Sequence, residues 1–358
     1  LSSLVAAQPA DSMVSRRCTG QGCINSLFTM FGQMVVLDMV KTGSNETDLL
    51  PIPVPRGDFA FDSAATGNKT IPFKRSNYVL DSKTHSRSAL NSNTHFFDGE
   101  SIYGFNDEYS RAVRDAGNGG RLKTSSWGGP PTMSQASVGM ANPQSCPRKV
   151  INTSHLYLGG NVRLNLIPQY PSLTTAFVRE HNARAAKLQA AHPTWSDDDV
   201  FEMSRRWVIA VLQNIFYQEY LPLLLGESIA PWRAYDANLD PSVDVVAAVV
   251  GMRYGHSEVP SRYGAGAPVT RDSYFKPHGW VYSNESMVSI FRAMMESKQE
   301  AIDPFIVDDI RHYPLTCDGL PTFDLAAANI QRGRDNGVTS YGATRVAYGL
   351  TVPSGVEG

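Results

Sequence analysis

The chain has 358 residues, 42% of them hydrophobic and 18% charged, with a formal net charge of −2. That composition excludes a disordered chain, and the near-zero charge without a basic run excludes non-specific nucleic-acid binding. The longest apolar run, VDVVAAVVGM at 243–252 with Asp244 as its one charge, is too short for a bilayer, so no membrane span is expected.

Leu1 opens no signal peptide, so the sequence reads as mature or excised. Residues 31–40, FGQMVVLDMV, predict a buried helix whose single acid, Asp38, is an ion-pair partner, a ligand, or a sign that the periodicity is misread. Residues 41–125 and 126–148 are rich in Gly, Pro, Ser, Asn and Asp and read as long loops wrapped on a helical body. The clearest helix covers 171–191 and is broken at His192-Pro193. A second begins at Ser196, a plausible N-cap with acids through the first turn. From Trp207 to Tyr220 it is apolar on most faces and is expected in the core, ending at Pro222 and Gly226. Further helices are expected at 241–254, 286–300 and 322–332. Strand signals are weak, so the expected fold is mainly α, one domain over residues 1–358.

Cys18, Cys23, Cys146 and Cys317 form no CxxC pair, which speaks against zinc. They pair as Cys18–Cys23 and Cys146–Cys317, or all four are free thiols. Four acceptor sequons, at Asn45, Asn68, Asn152 and Asn284, favour a secreted or extracellular glycoprotein.

Four stretches carry chemistry-bearing residues. In GMRYGHSEV, His256 follows Gly255, which leaves room for a flat partner; a neutral imidazole there is a metal or haem ligand or a hydrogen-bonded structural histidine. In FDLAAANIQRGRDNG, Asn329 sits among apolar residues and needs a partner, such as the Nδ1–H of a metal-bound histidine. Arg332 and Arg334, with Arg253, bind carboxylates or make surface ion pairs with acids such as Asp335. In NTHFFDGESIYG, the alternating Thr94, Phe96, Asp98 and Glu100 offer oxygens for a hard cation such as calcium, or form an Asx turn. In LYLGGNVRLNL, Arg163 sits between apolar residues and requires a polar partner or a path to water.

In order along the chain, GQMVVLD (32–38), LPIPVPRGDFAFD (50–62), FFDGESIYG (96–104), REHN (179–182), LPLLLG (221–226), RYGH (253–256) and NIQRGRDNG (329–337) resemble the animal-type haem peroxidase family. The resemblance runs from about residue 27 to residue 350 and implies a helical haem-peroxidase domain. It implies that His256 is the proximal haem-iron ligand, that Asn329 bonds its other ring nitrogen, and that Arg253 and Arg332 bind the haem propionates. Arg163 matches the distal arginine that polarises peroxide, and Gln33 the distal glutamine. Thr94, Phe96 (through its carbonyl), Asp98 and Glu100 match the calcium loop, with Asp38 joining it from the distal helix. Glu100 replaces a hydroxyl residue usual at its position.

Three positions depart from the family. The residue before the calcium aspartate is the family's distal histidine, and here it is Leu37, which can neither accept nor donate a proton. Val36 and Leu166 stand where two acids would esterify the haem, so any haem is held non-covalently. The family's last helical portion lies beyond Gly358, which implies a trimmed domain or a fragment. The resemblance therefore implies either a haem-binding oxidoreductase acting on hydrogen peroxide with a reducing substrate, slow or altered, or a non-catalytic module docked in a larger extracellular protein or assembly. A domain that partners a peroxide-generating oxidase, as in dual oxidases, overlaps both.

Overall fold

The structure is a computed structural model and describes residues 7–8, 24–83, 85–132, 156–264, 270–312, 316–317, 320–321 and 323–355. Cys18, Cys23, Cys146 and Asn152 lie outside these residues, and no side chain is described for Cys317, so neither cysteine alternative is addressed.

Helices dominate, as expected. They are α1 (Ser26–Met39), α2 (Glu100–Tyr103), α3 (Asp107–Val113), α4 (Gln169–Ala191), α5 (Asp197–Ile215), α6 (Leu221–Leu225), α7 (Val245–Val249), α8 (Thr270–Ser273), α9 (Asn284–Glu296), α10 (Asp308–Arg311), α11 (Leu325–Asp335) and α12 (Tyr341–Ala347). The core is built from α1, α2, α4, α5 and α9, with Phe31, Met34, Leu37, Tyr170, Leu173, Val208, Leu212 and Met294 among its buried side chains. The only strands among the described residues pair two by two.

Helix α1 is buried nearly all round, including Asp38. The polar contacts of its N-terminal turns run to the segment after α9: Ser297 Oγ donates to Ser26 Oγ at 2.9 Å and Thr29 Oγ1 to Gln299 Oε1 at 3.1 Å. Helix α5 starts with a full capping box, Ser196 and Asp199 exchanging side-chain-to-backbone hydrogen bonds. Pro222 does not end the run as the sequence suggests. A π turn, Phe216–Tyr220, leads into α6, where proline falls in the first turn and its missing N–H costs no helical bond. Gly226, at φ 71°, makes the stop. The segment 207–220 is also less buried than its composition implies. Val208, Leu212 and Tyr220 face the core, whereas Trp207 and Tyr217 are 42% and 48% exposed.

The run Asp197–Leu225 spans 29 residues and is long and apolar enough, by length and composition, to cross a membrane. The sequence expectation of no span rested on the shorter run 243–252. Here that helix packs its inner face on α4.

REHN proves to be a brace. Arg179 donates to the Gly128 carbonyl (2.9 Å), the Trp127 carbonyl (3.2 Å) and Asn284 Oδ1 (2.8 Å). Asn182 exchanges two hydrogen bonds with the Leu122 backbone. His181 is fully buried between Tyr103 OH (3.0 Å from Nδ1) and the Gly120 carbonyl (2.9 Å from Nε2). A carbonyl only accepts, so Nε2 carries the proton and Nδ1 accepts from Tyr103. Burial lowers the His181 pKa to about 4, which keeps the ring neutral.

Residues 44–89, expected as loop, form a lobe of short antiparallel pairs: Ser44–Leu49 with Lys74–Ser76, Ile52–Pro53 with Thr70–Ile71, and Tyr78–Leu80 with Arg87–Ala89. Asp335 at the end of α11 anchors the lobe. It accepts from Ser76 N (2.7 Å), Arg75 Nη1 (3.1 Å) and Arg332 Nη1 (3.0 Å). Burial opposes its charge, yet the Ser76 hydrogen bonds and the neighbouring guanidiniums outweigh burial and hold the carboxyl below its ordinary value. A depressed carboxyl pKa adds stability above the unfolded value of about 4, and that stability is lost as pH falls through the folded pKa. Asp335→Ala is expected to cost about 1–3 kcal/mol near neutrality, because Ser76 N and Arg332 lose their acceptor while Arg75 and Arg87 keep Asp48. The loss should shrink on acidification; denaturant curves for wild type and variant that stay equally far apart from pH 7 to pH 3 would overturn this.

Candidate functional site

Between α1 and the 3₁₀ turn Gly251–His256 lies a cavity of about 600 Å³. That is a cofactor-sized volume. One wall is α1, contributing Gln33, Val36 and Leu37, with Arg163 and Leu166 from the loop before α4. The facing wall carries Arg253, Tyr254 and His256. Most of the remaining lining is aliphatic or aromatic.

Four sequence-predicted residues therefore share one cavity: Gln33, Arg163, Arg253 and His256. The reason is local. Helix α1 presents Gln33 and Leu37, four residues apart, on the same face. The expected helix over 241–254 breaks after α7 at Val250, whose φ and ψ are −123° and −62°. The tighter turn that follows brings both Arg253 and His256 to the cavity.

Asn329, on α11, stands behind His256, its amide nitrogen 2.8 Å from Nδ1. An amide offers a donor or an acceptor at that point depending on which way it faces, so this pair can fix either neutral tautomer. With Nδ1 occupied, Nε2 is the ring nitrogen left for a ligand. Burial, reinforced by the Arg253 charge, lowers the His256 pKa to about 4, so the imidazole is neutral near pH 7.

The guanidiniums are poorly matched by acids. Burial lowers the Arg163 pKa to about 10, and Arg253 adds to the effect. Arg163 Nη2 donates to the Val40 carbonyl at 3.1 Å, but its buried Nε has no hydrogen-bond partner. Arg253 is lowered too, first by burial and then by Arg332. Arg332 does not line the cavity. It bonds Ser76 Oγ (2.8 Å) and Asp335 and stacks on Phe73 at 4.3 Å, the ion pair that its spacing suggested. Two desolvated cations facing one cavity favour an anionic ligand there.

The 94–100 loop closes on itself behind α1. Asp38 accepts from Asp98 N (3.1 Å), Gly99 N (3.0 Å) and Ser101 N (2.8 Å), capping α2. Thr94 Oγ1 donates to the Phe96 carbonyl (3.3 Å) and to Asp98 Oδ2 (3.2 Å), and Glu100 Oε1 accepts from Thr94 N (2.7 Å). Asp98 Oδ1 and Glu100 Oε2 are buried without partners. Burial raises all three carboxyls, Asp38 and Glu100 to about 7. Among the described residues no group of three or more His, Cys, Asp and Glu side chains already has metal-binding geometry. The five residues come together, but Asp38 is turned to backbone N–H groups.

Sequence reasoning missed several lining residues. Tyr220 and Tyr254 share a 2.6 Å hydroxyl–hydroxyl hydrogen bond at the cavity. Glu258, the only carboxylate among the described lining residues, accepts from Gln299 Nε2 at 3.1 Å. Asn93 and Asn161 both donate to the Leu37 carbonyl, at 2.9 and 2.8 Å, and pin position 37. Tyr254 lies inside RYGH and was findable; Asn93 and Asn161 carry no local signal.

The family model described as animal haem peroxidase matches residues 9–357. The chain is 31% identical over 353 residues to Peroxinectin A of Dictyostelium discoideum, covering 91% of this chain and 64% of that protein. It is 30% identical over 345 residues to the Dual oxidase of Drosophila melanogaster, covering 91% of this chain and 22% of that one. The chain thus spans less than two thirds of these relatives. Among solved structures, Peroxidase A from Dictyostelium discoideum superposes with a TM-score of 0.85 at 29% identity, covering 98% of this chain and 70% of that one. A fatty acid alpha-dioxygenase from Arabidopsis thaliana shares the fold, with a TM-score of 0.76 at 16% identity and the same 98% of this chain against 58% of its own.

Proposed function

Since the chain belongs to the animal haem peroxidase family, we propose that it is a haem-binding domain of peroxidase type in which peroxide activation is slow. The carrying observation is the single cavity that gathers His256, Arg163, Arg253 and Gln33 and sets Leu37 in its wall. Haem bound there would supply an iron able to exchange electrons with hydrogen peroxide and a reducing substrate.

The residues present fit that group. His256 would offer a neutral Nε2 to the iron provided that the Asn329 amide, whose nitrogen stands 2.8 Å from Nδ1, turns its oxygen to Nδ1–H and so holds that tautomer. Arg253, with the Arg332 charge near it, would hold the haem carboxylates, and Arg163 and Gln33, which line the same cavity, would bind and orient the peroxide. Val36 and Leu166 line the cavity without a carboxylate, which supports haem held non-covalently. Leu37 occupies the position from which a base would take the peroxide proton. Gln33 can orient a peroxide by hydrogen bonding, but an amide is no base near neutrality.

Calcium is the second expected ion. Thr94, the Phe96 carbonyl, Asp98 and Glu100 would hold it, with Asp38 tying the loop to α1. The partnerless Asp98 Oδ1 and Glu100 Oε2 support this, since a hard cation would satisfy both. Asp98→Ala is expected to lower the melting temperature markedly in calcium and little in chelator. Equal losses in both would mark the loop as an ordinary turn.

Leu37 also favours a second reading, a non-catalytic module that docks in a larger extracellular protein, as the length of the dual oxidases would allow. The sequons support an extracellular location. Reconstitution decides between the two: a Soret band with slow response to peroxide supports the first reading, and no Soret band after haem addition leaves the second.

A further inference from the structure

The sequence holds two Asn-Gly pairs, Asn118-Gly119 and Asn336-Gly337. In such a pair the backbone nitrogen of glycine can attack the preceding side-chain amide, because glycine has no Cβ to shield it. As dipeptides the two are identical, and the fold makes them different. Asn336 is held on both sides of the peptide bond. Its Nδ2 donates to the Arg332 carbonyl (2.9 Å) and to Ser76 Oγ (3.2 Å), and Gly337 N donates to the Arg334 carbonyl at 3.2 Å. Asn118 sits at the tip of a hairpin that pairs Arg114–Asp115 with Arg121–Leu122. It is exposed, and its side chain makes one hydrogen bond, from Nδ2 to Asp115 Oδ2 at 2.6 Å, at the surface where water competes. Gly119 N donates to no acceptor among the described residues. Gly117, Gly119 and Gly120 all have positive φ, at 77°, 63° and 68°, so the backbone around Asn118 carries no side chain in the way of attack.

We propose that Asn118 is a site of spontaneous deamidation, left open by the native fold while Asn336 is closed by it. Gly119 N gives its proton to water or hydroxide and forms a bond to Asn118 Cγ. The Cγ–Nδ2 bond breaks, and the nitrogen takes up a proton and leaves as ammonia. Water then opens the cyclic imide at either carbonyl, giving aspartate or isoaspartate. Water is the only co-reactant, so the reaction depends neither on haem nor on cellular location.

The change falls beside a structural joint. Gly120 N donates to Asp197 Oδ1 at 2.7 Å, and the Gly120 carbonyl accepts from His181 Nε2 at 2.9 Å. Deamidation removes the Nδ2 donor from Asp115 and sets a second carboxylate in its place. Isoaspartate also adds a methylene to the main chain two residues before Gly120. The aged protein is therefore expected to unfold at a lower temperature than the fresh one.

The test is incubation of the full chain near neutral pH, with peptide mapping by mass spectrometry. Isoaspartate is read separately by labelling with an isoaspartate-specific carboxyl methyltransferase. In the native chain Asn118 should convert about tenfold faster than Asn336, or more, the factor that corresponds to breaking two or three ordinary hydrogen bonds. In denaturant the two rates should converge, because the dipeptides are the same. Asn118→Gln, which would have to close a larger ring, should stop conversion at that position and keep its melting temperature on ageing. Native protein that converts at Asn118 no faster than at Asn336 would overturn the proposal. So would a difference that persists unchanged in denaturant, which would place its cause outside the fold.

Discussion

Leu37→His is expected to accelerate the reaction of the haem-loaded protein with hydrogen peroxide by about 10²–10⁴-fold, the usual contribution of a positioned acid–base group. Position 37 is prepared for such a side chain. Its carbonyl is clamped by Asn93 and Asn161, so the substitution should not move the backbone. Its side chain lines the cavity, one turn from Gln33 and across from His256. Leucine gives that wall apolar packing and nothing that can take a proton. Replacing it will cost about 1–3 kcal/mol of stability, because a buried imidazole needs a hydrogen-bond partner, and Gln33 is the nearest one on the same helical face. Stopped-flow absorbance of reconstituted wild type and variant reads the effect directly. A wild type that already reacts as fast as the variant would mean that another group supplies the base.

His256→Ala is expected to abolish axial ligation of added haem while leaving the helical content unchanged. The residue ends a short turn on the cavity wall and is only partly buried, so truncating it enlarges a cavity that exists already and opens no new hole in the core. Added imidazole should restore ligation, because the space and the Asn329 amide both remain. Since burial and Arg253 lower the imidazole pKa to about 4, ligation in the wild type should persist on mild acidification, below the usual histidine titration near 6.5. Absorption and electron paramagnetic resonance spectra report the ligand. A histidine-ligated spectrum in the variant without imidazole would remove His256 from its proposed role.

Much of this arrangement was legible before folding. The helical period placed α4, α5, α9 and α11 within a few residues, and the Ser196 box marked the start of α5. RYGH and NIQRGRDNG marked His256 and Asn329, 73 positions apart, as partners only through the family pattern. Arg332 was read in two ways. Its local spacing suggested a surface ion pair with Asp335 and the family pattern a propionate-binding position; the pair forms at 3.0 Å, but with the Asp335 carboxylate buried. The break at Val250 and the π turn before Pro222 were missed because both depend on what each turn packs against.

The sequence by itself determined the class of fold, the polar residues that need partners, and the chemistry that Leu37, Val36 and Leu166 cannot perform. These follow from the composition and period of neighbouring residues and from the functional groups each side chain carries. Only the tertiary structure decided that Gln33, Leu37, Arg163, Arg253 and His256 share one cavity, that Asp38 spends its carboxylate on three backbone N–H groups, and that Asp335 holds the 44–89 lobe from 259 positions away. Burial, hydrogen-bond partners and the fields that move a pKa are set by distance in space, and no local stretch of sequence encodes that distance.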